Sequence, residues 1–361
     1  MIRKTEKDRL LWMDCLKVFA TFLVVMQHSI SYEWVSLIDK TNITWKIINF
    51  VFMLSKAGVP IFIMCSGIGM LKKERTITDI CTKNIANILK VYVCWMLVYG
   101  IYHVYLLFCA GTATVRVVFN ALIKDIIFGQ YHTWYIATLV ALYLITPFLF
   151  LIVKSKTKTQ YFLILSFIFT IIIPYVGKYE SLSRLYTVLT DMNMKFVVGY
   201  ALYFVLGHYV SKIKLTGKRK IIVMLSLVIS IVLAFRISCL SAVNQGADCQ
   251  NIYSDFSILG FVISVCILLL FRMIFENDFQ QSFTSEHYRR FRNAIVNMSS
   301  YGIGIYLLHP LLLFLVKDLK GLKCLAGGIF LWMFTMIIVW MVSLSPFRKF
   351  FLGSRKRESQ H

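Results

Sequence analysis

A chain of 361 residues that is 58% hydrophobic and only 16% charged is too apolar for a soluble globule, where charged residues make up about a quarter of the total. Its net charge of +22 would suit a nucleic-acid binder by total alone. The basic residues, however, lie in the gaps between long apolar runs, where they report membrane topology. A soluble enzyme and a DNA- or RNA-binding module are both excluded, and an all-α, polytopic membrane bundle is the expected fold.

Apolar runs of about 17 to 25 residues, enough to cross a bilayer as helices, fall near 10–31, 47–71, 89–109, 132–153, 160–177, 195–211, 220–240, 255–275, 296–316 and 322–344. Ten spans put both termini on one side. With that side taken as cytoplasmic, the inner segments hold 26 of the 39 basic residues, among them Arg3, Lys4, Lys7, Arg9, Arg355, Lys356 and Arg357, which is the positive-inside bias. Residues 1–350 then read as one integral-membrane domain and 351–361 as a basic cytoplasmic tail. The same charges would attract anionic lipid. The first run lacks the small-residue cleavage site of a signal peptide, so it is expected to stay as a helix.

That first run, Leu10 to Ile30, carries Asp14, Lys17 and His28. A charged group at bilayer depth costs roughly 2.5 to 3.5 kcal/mol on insertion scales and usually faces a bundle interior or a water-filled path. At 100° per residue the eleven steps from Lys17 to His28 return to nearly one helix face, about 16 Å apart along the axis. Asp14 stands three residues before Lys17, at pairing distance. His28 can take or give a proton near neutral pH.

The second run contains Ala57, Gly58, Val59, Pro60 and, further on, Ser66, Gly67 and Gly69. These residues permit close helix packing and a kink, or an opened backbone lining a substrate path. Between the second and third runs, Ile77, Ile80, Ile85, Ile88 and Leu89 alternate with Lys83, Asn84, Asn87 and Lys90. This pattern fits an interfacial helix with a basic face as well as it fits a plain positive-inside loop. The fourth run opens with Tyr131, His132, Thr133, Trp134 and Tyr135, and the ninth holds Tyr301 to Pro310, with Tyr306 and His309 inside it. Topology puts His28, His132 and His309 all in the outer part of the membrane. Taken singly, His132 with Trp134 and Tyr135 could be an aromatic belt, and His309 could serve the kink at Pro310. His103 and His208 have no patterned neighbours and read as packing or interface residues. Residues 276–293 read as an inner loop or surface helix.

Nine cysteines show no C-x-x-C pair, and no carboxylate accompanies the histidines at ligand spacing, so no metal site is expected. Cys239 and Cys249 flank one outer loop and could be bridged on an oxidising face. No internal repeat of the kind common in secondary transporters is visible.

A basic residue, ten residues and a histidine in the first span; Gly58 to Phe62 with Ser66 and Gly67 in the second; His132-Thr133-Trp134-Tyr135 and Leu142 to Pro147 in the fourth; and Ser300 to Pro310 in the ninth together resemble the membrane-bound acyltransferase family 3. The resemblance implies an enzyme of the bacterial cytoplasmic membrane. It would move an acyl group, commonly acetyl, from cytoplasmic acyl-CoA to a hydroxyl of a cell-envelope glycan or lipid-linked sugar, with no bound cofactor. His28 matches the essential histidine and Lys17 the basic residue, usually arginine in the family. Lysine keeps the charge and lacks the bidentate fork. Asp14 would orient Lys17. Lys72, Lys73, Lys83, Lys90, Ser66 and Gly67 would form the donor side. His132, Trp134, Tyr135, Tyr143, Tyr306 and His309 would shape the acceptor side. Where many members carry arginines after the second span, this chain has Asn84 and Asn87. Two other readings stay open on sequence: a transporter or flippase of a polysaccharide or lipid-linked sugar, using Asp14, Lys17 and His28 as a proton relay, and a scaffold subunit of an envelope-assembly complex.

Overall fold

The computed structural model describes residues 10–177, 183–191, 199–275 and 286–353, and every regular element among them is a helix. The basic residues at 3–9 and 355–357, and positions 276–285 of the loop before the ninth run, lie outside the described residues. Seven helices are long and apolar enough to cross a membrane, and the number reaches nine if each of two bent pairs is one span. The bends are 59° between Trp134–Leu144 and Thr146–Val153, and 46° between Glu286–Ser300 and Gly302–Leu315. The run expected at 195–211 appears as the shorter helix Ala201–Ser211, residues 192–198 being outside the described set.

Helix α1 (Leu11–Ser36) packs against α2 (Ile43–Ser55), α3 (Gly58–Met70), the helices Ile258–Phe275 and Glu286–Ser300, and the closing helix Lys323–Leu344. This central position follows from its polar residues, which lipid would not accept. Asp14, Thr21, Ser29 and Glu33 are all buried within protein. Two glycines let neighbours approach: a side chain at Gly58 would meet Val24, Ala20 and Leu23 of α1, and one at Gly328 would meet Met26. A buried amide locks the arrangement at the far end of α1. Asn49 Oδ1 accepts from Trp34 Nε1 at 2.9 Å and from the Tyr253 hydroxyl at 2.8 Å, while its Nδ2 donates to Ser238 Oγ at 2.9 Å.

The segment that fitted either an interfacial helix or a plain loop forms the first turns of a candidate span, continuous from Ile77 to Cys109. It begins at Thr76, whose hydroxyl accepts from the Asp79 N–H, passes through a π turn at Ile80–Ile85, and continues as α4 (Ala86–Cys109). Ile80, Ile85 and Ile88 are buried against the core, while Ile77 and Leu89 are exposed. Between the runs at 89–109 and 132–153, α5 (Val115–Phe128) packs on α4, Gly100 facing Leu122 and Asp125. Next come α6 (Trp134–Leu144) and α7 (Thr146–Val153). The thiols of Cys239 and Cys249 are both free, contrary to the bridge considered above. Cys239 instead receives the Asn49 amide at 3.8 Å, and Cys249 is buried.

Candidate active site

Two cavities meet in the middle of the bundle. The larger, about 360 Å³, is lined by Lys17 of α1, Ser66 of α3, Arg75, Asn84 and Asn87 near the start of the α4 span, Tyr135 and Tyr143 of α6, Ser299, Ser300 and Tyr306. Its volume lies within the range of small-molecule sites. Its polar wall is built from groups with unfilled capacity: the Asn84 Oδ1 and Arg75 Nε atoms are buried with no hydrogen-bond partner among the described residues. Asp14, 1% exposed, accepts from Ser299 Oγ at 2.6 Å, so a hydroxyl from another helix shares the carboxylate one turn before Lys17.

The smaller cavity, about 190 Å³, is lined by Tyr99, Tyr102, His103, Gln130, Tyr131, His132, Pro310, Leu311 and Phe314. The two cavities come within one ring contact of each other. Tyr306 of the first and His132 of the second have ring centroids 5.6 Å apart, and the Tyr306 hydroxyl donates to the His132 carbonyl.

The three histidines that topology placed at one depth do converge at this contact. His28 is 5.2 Å from His309 and 5.6 Å from Tyr131, centroid to centroid, and His132 is 6.1 Å from His309. Each arrives from a different element: α1, the turn before α6, and the tightened 3₁₀ turn His309–Leu315 that Pro310 opens. The Ile305 carbonyl lies 3.0 Å from His309 Nδ1. A carbonyl only accepts, so Nδ1 carries the proton, and Nε2 of the neutral ring is left as an acceptor. That Nε2, and both ring nitrogens of His132, are buried with no partner among the described residues. No group of three or more His, Cys, Asp or Glu there is arranged to hold a metal ion.

Several expected roles fall elsewhere. Gly67 lies under the backbone of Phe204, and Gly207 of the helix Ala201–Ser211 lies under Met64, so Gly67 lets two helices touch and lines no cavity. Lys83 pairs with Asp79 at 2.5 Å on the exposed side of its turn, and Lys90 sits over the Phe350 ring at 5.7 Å. Lys72 and Lys73 are likewise outside the lining, where Arg75 takes the place expected of them. Helix geometry separates the aromatic set. Tyr143 lies eleven residues, about 16 Å, beyond His132, so Tyr135, Tyr143 and Tyr306 face the Lys17 cavity and not the one that His132 lines. Trp134 lines neither and stacks on Tyr200 at 5.6 Å. His208 is buried, as a packing residue would be. His103, read as a packing residue, lines the smaller cavity and lies 2.7 Å from Asp125. No local pattern marks that pair, since its members are 22 positions apart on separate helices.

A family model described as "Acyltransferase domain" matches residues 10–347. No characterised protein and no solved structure matches the chain. The match runs from the residue before α1 past the end of the last long helix, and so takes in the histidine cluster and every lining residue of the two cavities but Leu352: this chain belongs to acyltransferase family 3 and is a membrane acyltransferase.

Proposed function

We propose that the protein transfers an acyl group, acetyl in the simplest case, from cytoplasmic acyl-CoA to a hydroxyl of a cell-envelope glycan or lipid-linked sugar in the bacterial cytoplasmic membrane. The observation that carries this reading is the contact between the two cavities. A basic, amide-lined chamber and an aromatic one come together at Tyr306 and His132, and His309 and His28, which line neither, stand in ring contact behind them. Lys17 and Arg75, with the neutral donors of Asn84 and Asn87, suit the phosphate-bearing end of the donor. Lysine binds there as a point charge, without a fork. The rise of α1 sets Lys17 and His28 about 16 Å apart, comparable in scale to an extended pantetheine arm, so a thioester carbonyl can reach the histidines while the phosphates stay beside Lys17. The bias of basic residues fits this orientation.

A sugar hydroxyl is a poor nucleophile at neutral pH, and a positioned base is worth about 10²- to 10⁴-fold. His28 takes the hydroxyl proton as the oxygen attacks the thioester carbonyl, the tetrahedral intermediate expels the CoA thiolate, and the imidazolium returns the proton to sulfur. Alternatively His28 accepts the acyl group first and passes it on as an acyl-imidazole. The buried acceptor nitrogen of His309, next to His28, can hold the imidazole in its working orientation. None of these observations favours transport. The test uses the full chain in proteoliposomes with radiolabelled acetyl-CoA and added glycan, comparing wild type with His28→Ala. Label transfer lost in a correctly inserted His28→Ala protein is the expected result. Transfer that persists in that variant removes His28 from the chemistry, and a wild type that neither binds nor turns over acyl-CoA rejects the donor.

A further inference from the structure

Asp125 is 5% exposed on α5, and both of its carboxylate oxygens are taken: His103 Nδ1 of α4 lies 2.7 Å from Oδ2, and Gln130 Nε2 donates to Oδ1 at 2.8 Å. Gly129, at φ 65°, ends α5 and turns the chain so that Gln130 comes back on the last turn of its own helix. A side chain there would strike Thr133 and the Tyr92 hydroxyl. Three pieces of chain are thus fixed around one buried carboxylate at the wall of the smaller cavity.

The carboxylate determines what this wall presents. It only accepts, so His103 holds its Nδ1 proton toward Asp125, which fixes the ring with Nε2 turned away from the carboxylate. Gln130 spends an N–H on Asp125 and keeps its carbonyl oxygen. His132, 1% exposed and with both ring nitrogens unpartnered, lines the same space. Tyr99, Tyr102, Tyr131 and Phe314 add ring faces, and no Lys or Arg is among the described lining residues. A buried carboxylate behind the wall, with no Lys or Arg facing it, disfavours a carboxylate or phosphate in this space, while aromatic walls with a few placed polar groups are the usual make-up of a small-molecule site.

We propose that this cavity is a subsite for an uncharged, hydroxyl-bearing sugar ring, with His103 and Gln130 hydrogen-bonding its hydroxyls and Asp125 holding both in place. The assignment rests on the proposed function, in that the acceptor is a glycan, and it narrows that acceptor to a neutral ring at the point of transfer. His103 and Gln130 are binding residues, and Asp125 is a positioning residue.

The test is saturation-transfer NMR on the full chain in nanodiscs, without acyl donor, using methyl glucoside and methyl galactoside as neutral probes and methyl glucuronide as the anionic one. Wild type is expected to saturate at least one neutral glycoside and to bind the glucuronide at least tenfold more weakly. Asp125→Asn and His103→Phe, each checked for monodisperse elution and an unchanged melting temperature, are expected to weaken the neutral probe about tenfold or more. If Asp125→Asn fails to fold, His103→Phe and Gln130→Met carry the comparison. Equal binding of neutral probes by wild type and folded variants overturns the proposal, as does glucuronide binding as tight as glucoside binding, or no binding of any probe. Because no donor is present, glycoside binding by a wild type that transfers no acyl group would leave the subsite standing and reject the proposed reaction.

Discussion

Helix α1 and the long helix Gly217–Gln245 would be hard to rank by function from apolarity alone, yet the fold treats them as opposites. The most apolar 18-residue window of α1 has mean hydropathy 1.3 and is 67% buried in protein, whereas that of Gly217–Asn244 reaches 2.6 and is only 28% buried. The more apolar helix is the one turned to lipid, with Ile221, Leu225, Val228, Ile229 and Val232 all exposed on the protein surface. In water the ranking would be reversed. In a bilayer the hydrocarbon solvates leucine and isoleucine as well as the core does, so apolarity carries no instruction to go inside and polarity does. Asp14, Lys17, Thr21, His28 and Glu33 therefore mark α1 as the helix around which the others assemble.

The sharpest way to break this contrast is at Asn49, which ties the two helices together through Trp34 and Ser238. Asn49→Leu leaves the buried Trp34 Nε1 and the Tyr253 hydroxyl without their acceptor, at about 1–3 kcal/mol each. A fall in melting temperature in detergent far beyond that of any lipid-facing substitution is the expected outcome, and an unchanged melting temperature would remove Asn49 as the tie. Gly58→Val forces α3 off Val24 and Leu23 of α1, an overpacking that costs about 1–3 kcal/mol, again read as melting temperature. Lys17→Met tests the functional face of the same helix. Loss of one charge-assisted contact, about 1.5–3 kcal/mol, should raise the KM for the proposed acyl-CoA donor roughly ten- to a hundredfold, with Lys17→Arg restoring it; equal KM values in Met and Arg variants would show that no charge is used there. Leu225→Ala, on the lipid-facing helix, should change stability by no more than about 0.5 kcal/mol, and a larger loss would mean that this face is covered by protein.

Much of the site was legible before any coordinates. The eleven-residue step from Lys17 to His28 follows from helix geometry alone, and topology was enough to place His28, His132 and His309 at one depth, where their rings indeed meet. The donor side was harder. Lys72, Lys73, Lys83 and Lys90 were grouped by charge, but charge near a helix start does not say which way a side chain turns. The residues that face the cavity are Arg75, Asn84 and Asn87. Gly67 was chosen for its place in a motif, and its role turned out to be the approach of another helix's backbone.

What the sequence determined by itself is the class of molecule, the order of its apolar segments and the helix that carries Asp14, Lys17 and His28 into the bundle, because each depends on local quantities: run length, the cost of a buried charge, and 3.6 residues per turn. Only the tertiary structure decided that α5 packs on α4 to join His103, Asp125 and Gln130, that the aromatic residues of α6 face the Lys17 cavity, and that the two cavities meet at Tyr306 and His132. Those pairings join residues tens to hundreds of positions apart through packing between helices, and no periodicity along one helix encodes the identity of its neighbour.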